Sequence, residues 1–148
     1  MRGPDPVTSS ALDAVSGCTR ALAGSTALDA PFGTADAATV GALRAFGDRL
    51  AIRERFENPS TYLAARPADT PASAIYDALA LARLDALGVL WLPGIAKNLL
   101  AHPGVEEDGV RWLGFEAFSG APAPRERSAA ADRTREALTP RLLAHRHV

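Results

Sequence analysis

One cysteine, one methionine, one lysine and three histidines in 148 residues leave little of the usual material for redox, nucleophilic or metal chemistry. Cys18 stands alone, so no internal disulfide and no cysteine-based metal cluster can form. Its setting in an apolar helical stretch predicts a small buried hydrophobe, whereas a nucleophile would need a base and an exposed thiolate. His145 and His147 stand two apart near the C-terminal end, with His102 far away. Four apart would share a helix face, and structural zinc wants four ligands, so a solvated tail and no metal site are expected. Neither GxxxxGK[ST] nor a GxGxxG after a strand occurs, which removes the support for nucleotide binding; no cofactor is expected. Sixteen basic residues oppose seventeen acidic ones, without the cationic excess that releases phosphate counterions, so nucleic acid is not an expected partner. The longest apolar run, near Leu87–Ala96, is broken by Gly88, Pro93 and Gly94 and is too short to cross a bilayer. The opening MRGPDPVTSS lacks the apolar stretch of a signal peptide, and a cytoplasmic protein with no membrane contact is expected.

What the chain does have is alanine and leucine, the strongest helix formers, and no long run alternating with period two. The length fits one domain with a sizeable core. Residues 1–8, with two prolines, are expected to be flexible, and a helical domain to occupy 9–145. Ser9 or Ser10 can cap a helix running to Ala23 and stopped by Gly24, with Leu12, Val15, Thr19 and Leu22 on one face. Phe32 is expected in the core. A second helix spans about Ala37–Glu57, its stripe Val40, Leu43, Phe46 and Leu50, with Arg44, Asp48 and Arg55 pointing elsewhere; Asn58-Pro59 ends it. Ser60–Ala65 suits one turn, with Tyr62 and Leu63 inward. Thr70 then caps a helix with Pro71 in its first turn, running to about Leu87 until Gly88 ends or bends it. This helix is apolar over much of its circumference, the mark of a central element. A short helix follows over about Pro93–Ala101, then a solvated Glu106–Gly109 turn. Trp112, Phe115 and Phe118 then recur at three-residue spacing on one helical face, and a surface link leads to a last helix capped by Ser128, with Pro140 kinking or restarting it. The expected fold is all-α: a single-domain compact bundle of about five to seven helices.

Candidate functional residues cluster near the end of the central helix. Arg83 and Asp85 lie two apart and cannot pair with each other on a helix, so each is expected to meet a charge from a neighbouring helix or from a partner. Asn98 suits a cap or cross-link of the short helix. Leu90-Trp91-Leu92-Pro93 at the hinge is either core or an exposed docking patch, and tryptophan is enriched at binding hot spots.

Three stretches carry a family resemblance. Thr19-Arg20-Ala21-Leu22-Ala23-Gly24 with Phe32-Gly33, then Leu50-Ala51-Ile52-Arg53, and above all Ala82-Arg83-Leu84-Asp85-Ala86-Leu87-Gly88 followed by Gly94-Ile95-Ala96-Lys97-Asn98-Leu99, stand in the order and spacing of a known pattern. Across about Ala11–Ala101 the chain resembles the N-terminal domain of CobT, a subunit of aerobic cobaltochelatase. Two features depart from that family. The Asp-x-Ser-x-Ser motif of the family's von Willebrand A-like domain does not occur in these residues, nor does the acidic middle segment, so the chain is expected to lack that metal-binding half. Where family members tend to place Glu-Gln before the Ala-Arg and Arg-Arg after the glycine, this chain has Ala80-Leu81 and Leu90-Trp91.

The resemblance implies a non-catalytic helical subunit or adaptor in cobalamin biosynthesis, docking to a AAA+ ATPase ring or a large chelatase subunit. Arg83, Asp85, Trp91, Lys97 and Asn98 are its expected contact residues, and no catalytic residue is expected. The residues alone also allow a self-associating module dimerising through Leu90–Leu92, or a small-ligand-binding bundle with a pocket lined by Trp112, Phe115 and Phe118.

Overall fold

Capping chemistry sets where the helices begin. The Thr39 hydroxyl accepts the Ala42 N–H at 3.1 Å, Asn58 accepts those of Ser60 and Thr61 at 3.1 Å, and Asp69 accepts that of Ala72 at 3.1 Å. The computed structural model describes residues 9–26, 28, 39–101 and 109–144. Among them are seven helices and no strand: α1 Ser9–Ala23, α2 Val40–Phe56, α3 Pro59–Ala65, α4 Thr70–Trp91, α5 Pro93–Ala101, α6 Gly109–Ser119 and α7 Arg125–Ala144. The all-α, single-domain expectation holds. Those for residues 1–8, Phe32, the Glu106–Asp108 part of the turn and the three histidines lie outside the described residues.

Packing runs in a row. α1 lies on α2, α2 contacts α4 and α5, α4 packs most extensively on α6, and α7 covers α6. The 22-residue α4 is therefore central, as its apolar circumference requires. Its alanines let neighbours approach closely: Ala82 and Ala86 pack with Trp112, Phe115, Ala123 and Ala131 in one core cluster. Ile52, Leu84, Ile95 and Leu99 form the second.

Several local expectations are corrected. Gly88 does not end α4; the helix continues to Trp91 and breaks at Leu92, just before Pro93. A Cβ at Gly88 would lie 2.2 Å from Ile52 Cδ1 and 3.0 Å from Leu99 Cδ1, so glycine here permits a three-helix crossing. Asp69, not Thr70, caps α4, and α7 starts three residues before Ser128, whose N–H donates to the Pro124 carbonyl at 3.0 Å. The buried face of α2 is Leu43, Ala45, Gly47, Asp48, Ala51 and Ile52, because α2 is held between α1 on one side and α4 and α5 on the other. Phe46 faces out and Asp48 faces in, the reverse of the stripe expected. Cys18 is exposed, since the inward side of α1 is Val15, Thr19 and Ala23. Leu63 is 67% exposed on α3, which buries no residue.

Candidate docking site

The five expected contact residues, Arg83, Asp85, Trp91, Lys97 and Asn98, stand on α4 and α5 in two layers. Asp85 is 3% exposed and belongs to the inner layer. Its Oδ1 accepts Arg49 Nε from α2 at 3.1 Å, and its Oδ2 accepts Arg111 Nη2 from α6. Arg49 Nη2 also donates to the Leu99 carbonyl on α5 at 2.9 Å. One carboxylate thus links α2, α4 and α6, and through Arg49 reaches α5. Burial pulls the Arg49 guanidinium below its usual range, the neighbouring Asp85 carboxylate raises it, and the like charge of Arg111 lowers it. Asn98 is the second inner residue, its Nδ2 donating to Asp48 Oδ2 at 3.0 Å across the α2–α5 contact. Burial pushes the Asp48 carboxyl up, against the Asn98 hydrogen bond and the charges of Arg44 and Arg49.

The outer layer is Arg83, Trp91 and Lys97. Arg83 and Asp85 do not pair, as their spacing requires. Asp85 meets charges from neighbouring helices, whereas Arg83 is exposed and makes no ion pair among the described residues. Lys97 is likewise exposed, on the side of α5 away from buried Ile95 and Leu99. Trp91 ends α4 with 36% of its surface exposed, and Leu90 beside it is 60% exposed. The indole is nevertheless fixed. Phe56 meets it edge-on, with ring centroids 5.4 Å apart and planes at 82°, and the Arg55 guanidinium lies 4.7 Å from its ring centre. Arg55 Nη1 also donates to the Leu22 carbonyl at 3.4 Å, beside the turn where Gly24 takes φ +69°. Trp91 is therefore a large apolar group at the surface, held by two residues from the end of α2.

Sequence reasoning missed Arg49, Arg55, Phe56 and Arg111. Arg49 stands 36 residues and Arg111 stands 26 residues from Asp85, and no local periodicity encodes such a meeting. The pocket lined by Trp112, Phe115 and Phe118 that the small-ligand alternative requires is not found among the described residues. Trp112 and Phe115 are buried against each other and against alanines, while Phe118 is 48% exposed. A cleft of about 160 Å³ opens beside Asp85, walled by Phe46, Leu50, Leu81 and Leu84. It falls below the roughly 300 Å³ at which small-molecule sites begin.

No group of three or more histidine, cysteine, aspartate or glutamate side chains that could hold a metal ion occurs among the described residues. No described helix is long and apolar enough to cross a membrane. A family model described as "Cobalamin biosynthesis protein CobT" matches residues 9–145. No curated protein and no solved structure matches the chain.

Proposed function

The chain belongs to the CobT family of cobalamin biosynthesis proteins, and from that premise we propose that it is a non-catalytic docking subunit of a cobaltochelatase. In this reading ATP hydrolysis and cobalt insertion reside in other subunits, and this chain, acting in the cytoplasm, holds a AAA+ ATPase ring or the large chelatase subunit. The observation that carries the proposal is the fixed, part-exposed Trp91 beside Leu90, at the place where family members tend to have a basic pair.

Such an arrangement favours binding for two physical reasons. Tryptophan brings a large apolar area to a contact, and truncating a hot-spot side chain costs about 2 kcal/mol or more. Ordering a free side chain at an interface costs roughly 0.5–1.5 kcal/mol, and the contacts of Phe56 and Arg55 with the indole have met part of that cost in advance. Arg83, Trp91 and Lys97 would touch the partner. Asp85 and Asn98 would act beneath them as positioning residues, fixing α4 and α5 on α2.

The test is capture of the tagged chain from its own cytosol, with Trp91→Asp and Leu90→Asp as controls and mass spectrometry as readout. Recovery of a AAA+ ATPase or a large chelatase subunit, lost in both variants, supports the proposal. Leu90→Asp alters a mostly exposed side chain, so its expected cost to folding is small, and a retained thermal midpoint separates lost docking from lost fold. Recovery of the chain alone would contradict docking and favour a self-associating module through Leu90–Leu92.

A further inference from the structure

A second surface feature lies next to Trp91. Phe56, which packs on the Trp91 ring, also walls a groove of about 470 Å³ running between α3, α4 and the end of α6. Its other walls include Tyr62, Tyr76, Leu79 and Phe118, and Arg83 stands within it. The two tyrosine hydroxyls are already engaged: Tyr62 Oη donates to Asp77, and Tyr76 Oη donates to the Tyr62 carbonyl at 3.4 Å. Their rings are thus left as apolar wall. The nearby acids are engaged too, Glu57 with Arg53 at 3.2 Å and Asp77 with Arg66 at 2.7 Å. The Asn58 side chain is held by its caps on α3. Arg83 is therefore the uncommitted charge of this groove among the described residues.

Arg83 also stands in register with an apolar row. Ile75, Leu79 and Arg83 are four apart on α4, which places them on one stripe at steps of about 6 Å. Ile75 is 50% exposed, and Leu79 and Phe118 are exposed beside it. A helix laid along α4 repeats its own side chains at the same step. Two apolar residues followed one turn later by a carboxylate would set hydrocarbon on Ile75, Leu79 and Phe118 and the charge on Arg83.

We propose that this groove binds an amphipathic helix of a partner protein whose apolar face ends in an aspartate or glutamate paired with Arg83. The inference rests on the reading of α4 as a docking surface and names the partner's chemistry. A small metabolite fits less well, because such sites fix their ligands with several converging polar groups and here the polar groups are used internally.

The experiment is fluorescence anisotropy of a labelled helical peptide with leucines four apart and a glutamate one turn further on, against the same peptide with lysine there. The chain is expected to bind the glutamate peptide at least about tenfold more tightly, and Arg83→Glu to reverse that preference. Leu79→Asp should abolish both. Equal affinity for the two peptides, an unchanged preference in Arg83→Glu, or no binding to either would overturn the proposal. So would a dimer of the chain that Arg83→Glu dissolves, since a second copy would then fill the groove. Arg83 is exposed, so the variant is expected to fold, with a stability change within about 0.5 kcal/mol. The peptide assay contains no chelatase subunit. It can therefore fail while Trp91-dependent capture succeeds, and succeed while that capture fails.

Discussion

Replacing Asp85 by asparagine takes the negative charge from between two guanidiniums while keeping the side-chain volume. Arg49 and Arg111 then face each other across a neutral amide, at a site where Asp85 is 3% exposed and Arg111 is buried as well. Removing one partner of a buried ion pair costs about 3–5 kcal/mol, because the remaining charge stays desolvated. A domain of this size has roughly 5–15 kcal/mol of stability, so Asp85→Asn is expected to lose about a fifth of it or more. At about 2–4 °C per kcal/mol, the thermal midpoint should fall by roughly 6–20 °C. Urea unfolding followed by circular dichroism at 222 nm measures the change, and an unaltered m-value would show that the native and denatured states are otherwise comparable. The companion variant replaces Arg49, Asp85 and Arg111 together by methionine and leucine, and should recover most of the loss, since hydrophobic replacement of a whole buried cluster is often neutral or stabilising. A loss below about 1 kcal/mol for Asp85→Asn, the size of an exposed pair, would refute the reasoning.

Four further perturbations test other parts of the fold. Gly88→Ala should destabilise by about 1–3 kcal/mol despite alanine's better helix propensity, since the new Cβ lands 2.2 Å from Ile52 Cδ1 in the core. Gly109→Ala should cost at least as much, because its Cβ would meet the Ala130 carbonyl oxygen at 2.5 Å and backbone cannot swing aside; denaturant midpoints rank the two. Asp48 has a raised carboxyl pKa, so the native state holds its proton longer than the unfolded chain does, and stability is lost as pH rises from the ordinary 3.8 through the folded value. Asp48→Asn should therefore match or exceed the parent at pH 7 and lose that advantage toward pH 4; a loss above about 1 kcal/mol at pH 7 would contradict the sign. Asp77 runs the other way. Its carboxyl is held down to about 2 by the Arg66 and Tyr62 hydrogen bonds, so its contribution is present above 3.8 and vanishes between there and about 2. Asp77→Asn should flatten the acid limb of the stability profile over that window.

Helix positions were legible because they rest on local chemistry. Alanine and leucine content, Asn58-Pro59, Pro71 and Gly24 mark starts and stops that need no tertiary information, and α1, α3 and α5 stand close to where those signals put them. Long apolar α4 was legible as the central helix for the same reason. The cap of α4 lies one residue before the expected Thr70 and α7 starts three residues before Ser128, and the larger errors fall where a residue answers to a neighbour distant in sequence. Gly88 carries the local signature of a stop, yet it is small because Ile52 and Leu99 press on it. Asp48 looks like a solvent-facing charge until Asn98 of α5 reaches it. Of the site, Trp91 and Asp85 could be singled out from their stretch of sequence, but their opposite roles could not. One is fixed at the surface by Arg55 and Phe56, and the other is enclosed by Arg49 and Arg111. Those partners come from α2 and α6, and periodicity within α4 carries no record of them.

The most direct test of the docking reading is isothermal titration of the purified chain into the AAA+ ATPase and, separately, into the large chelatase subunit. The account predicts saturable binding to one of them, weakened about thirtyfold or more by Trp91→Ala, the equivalent of the roughly 2 kcal/mol of a hot spot. Leu90→Asp should weaken it as well. Binding to neither subunit, or binding that both variants leave unchanged, would contradict it.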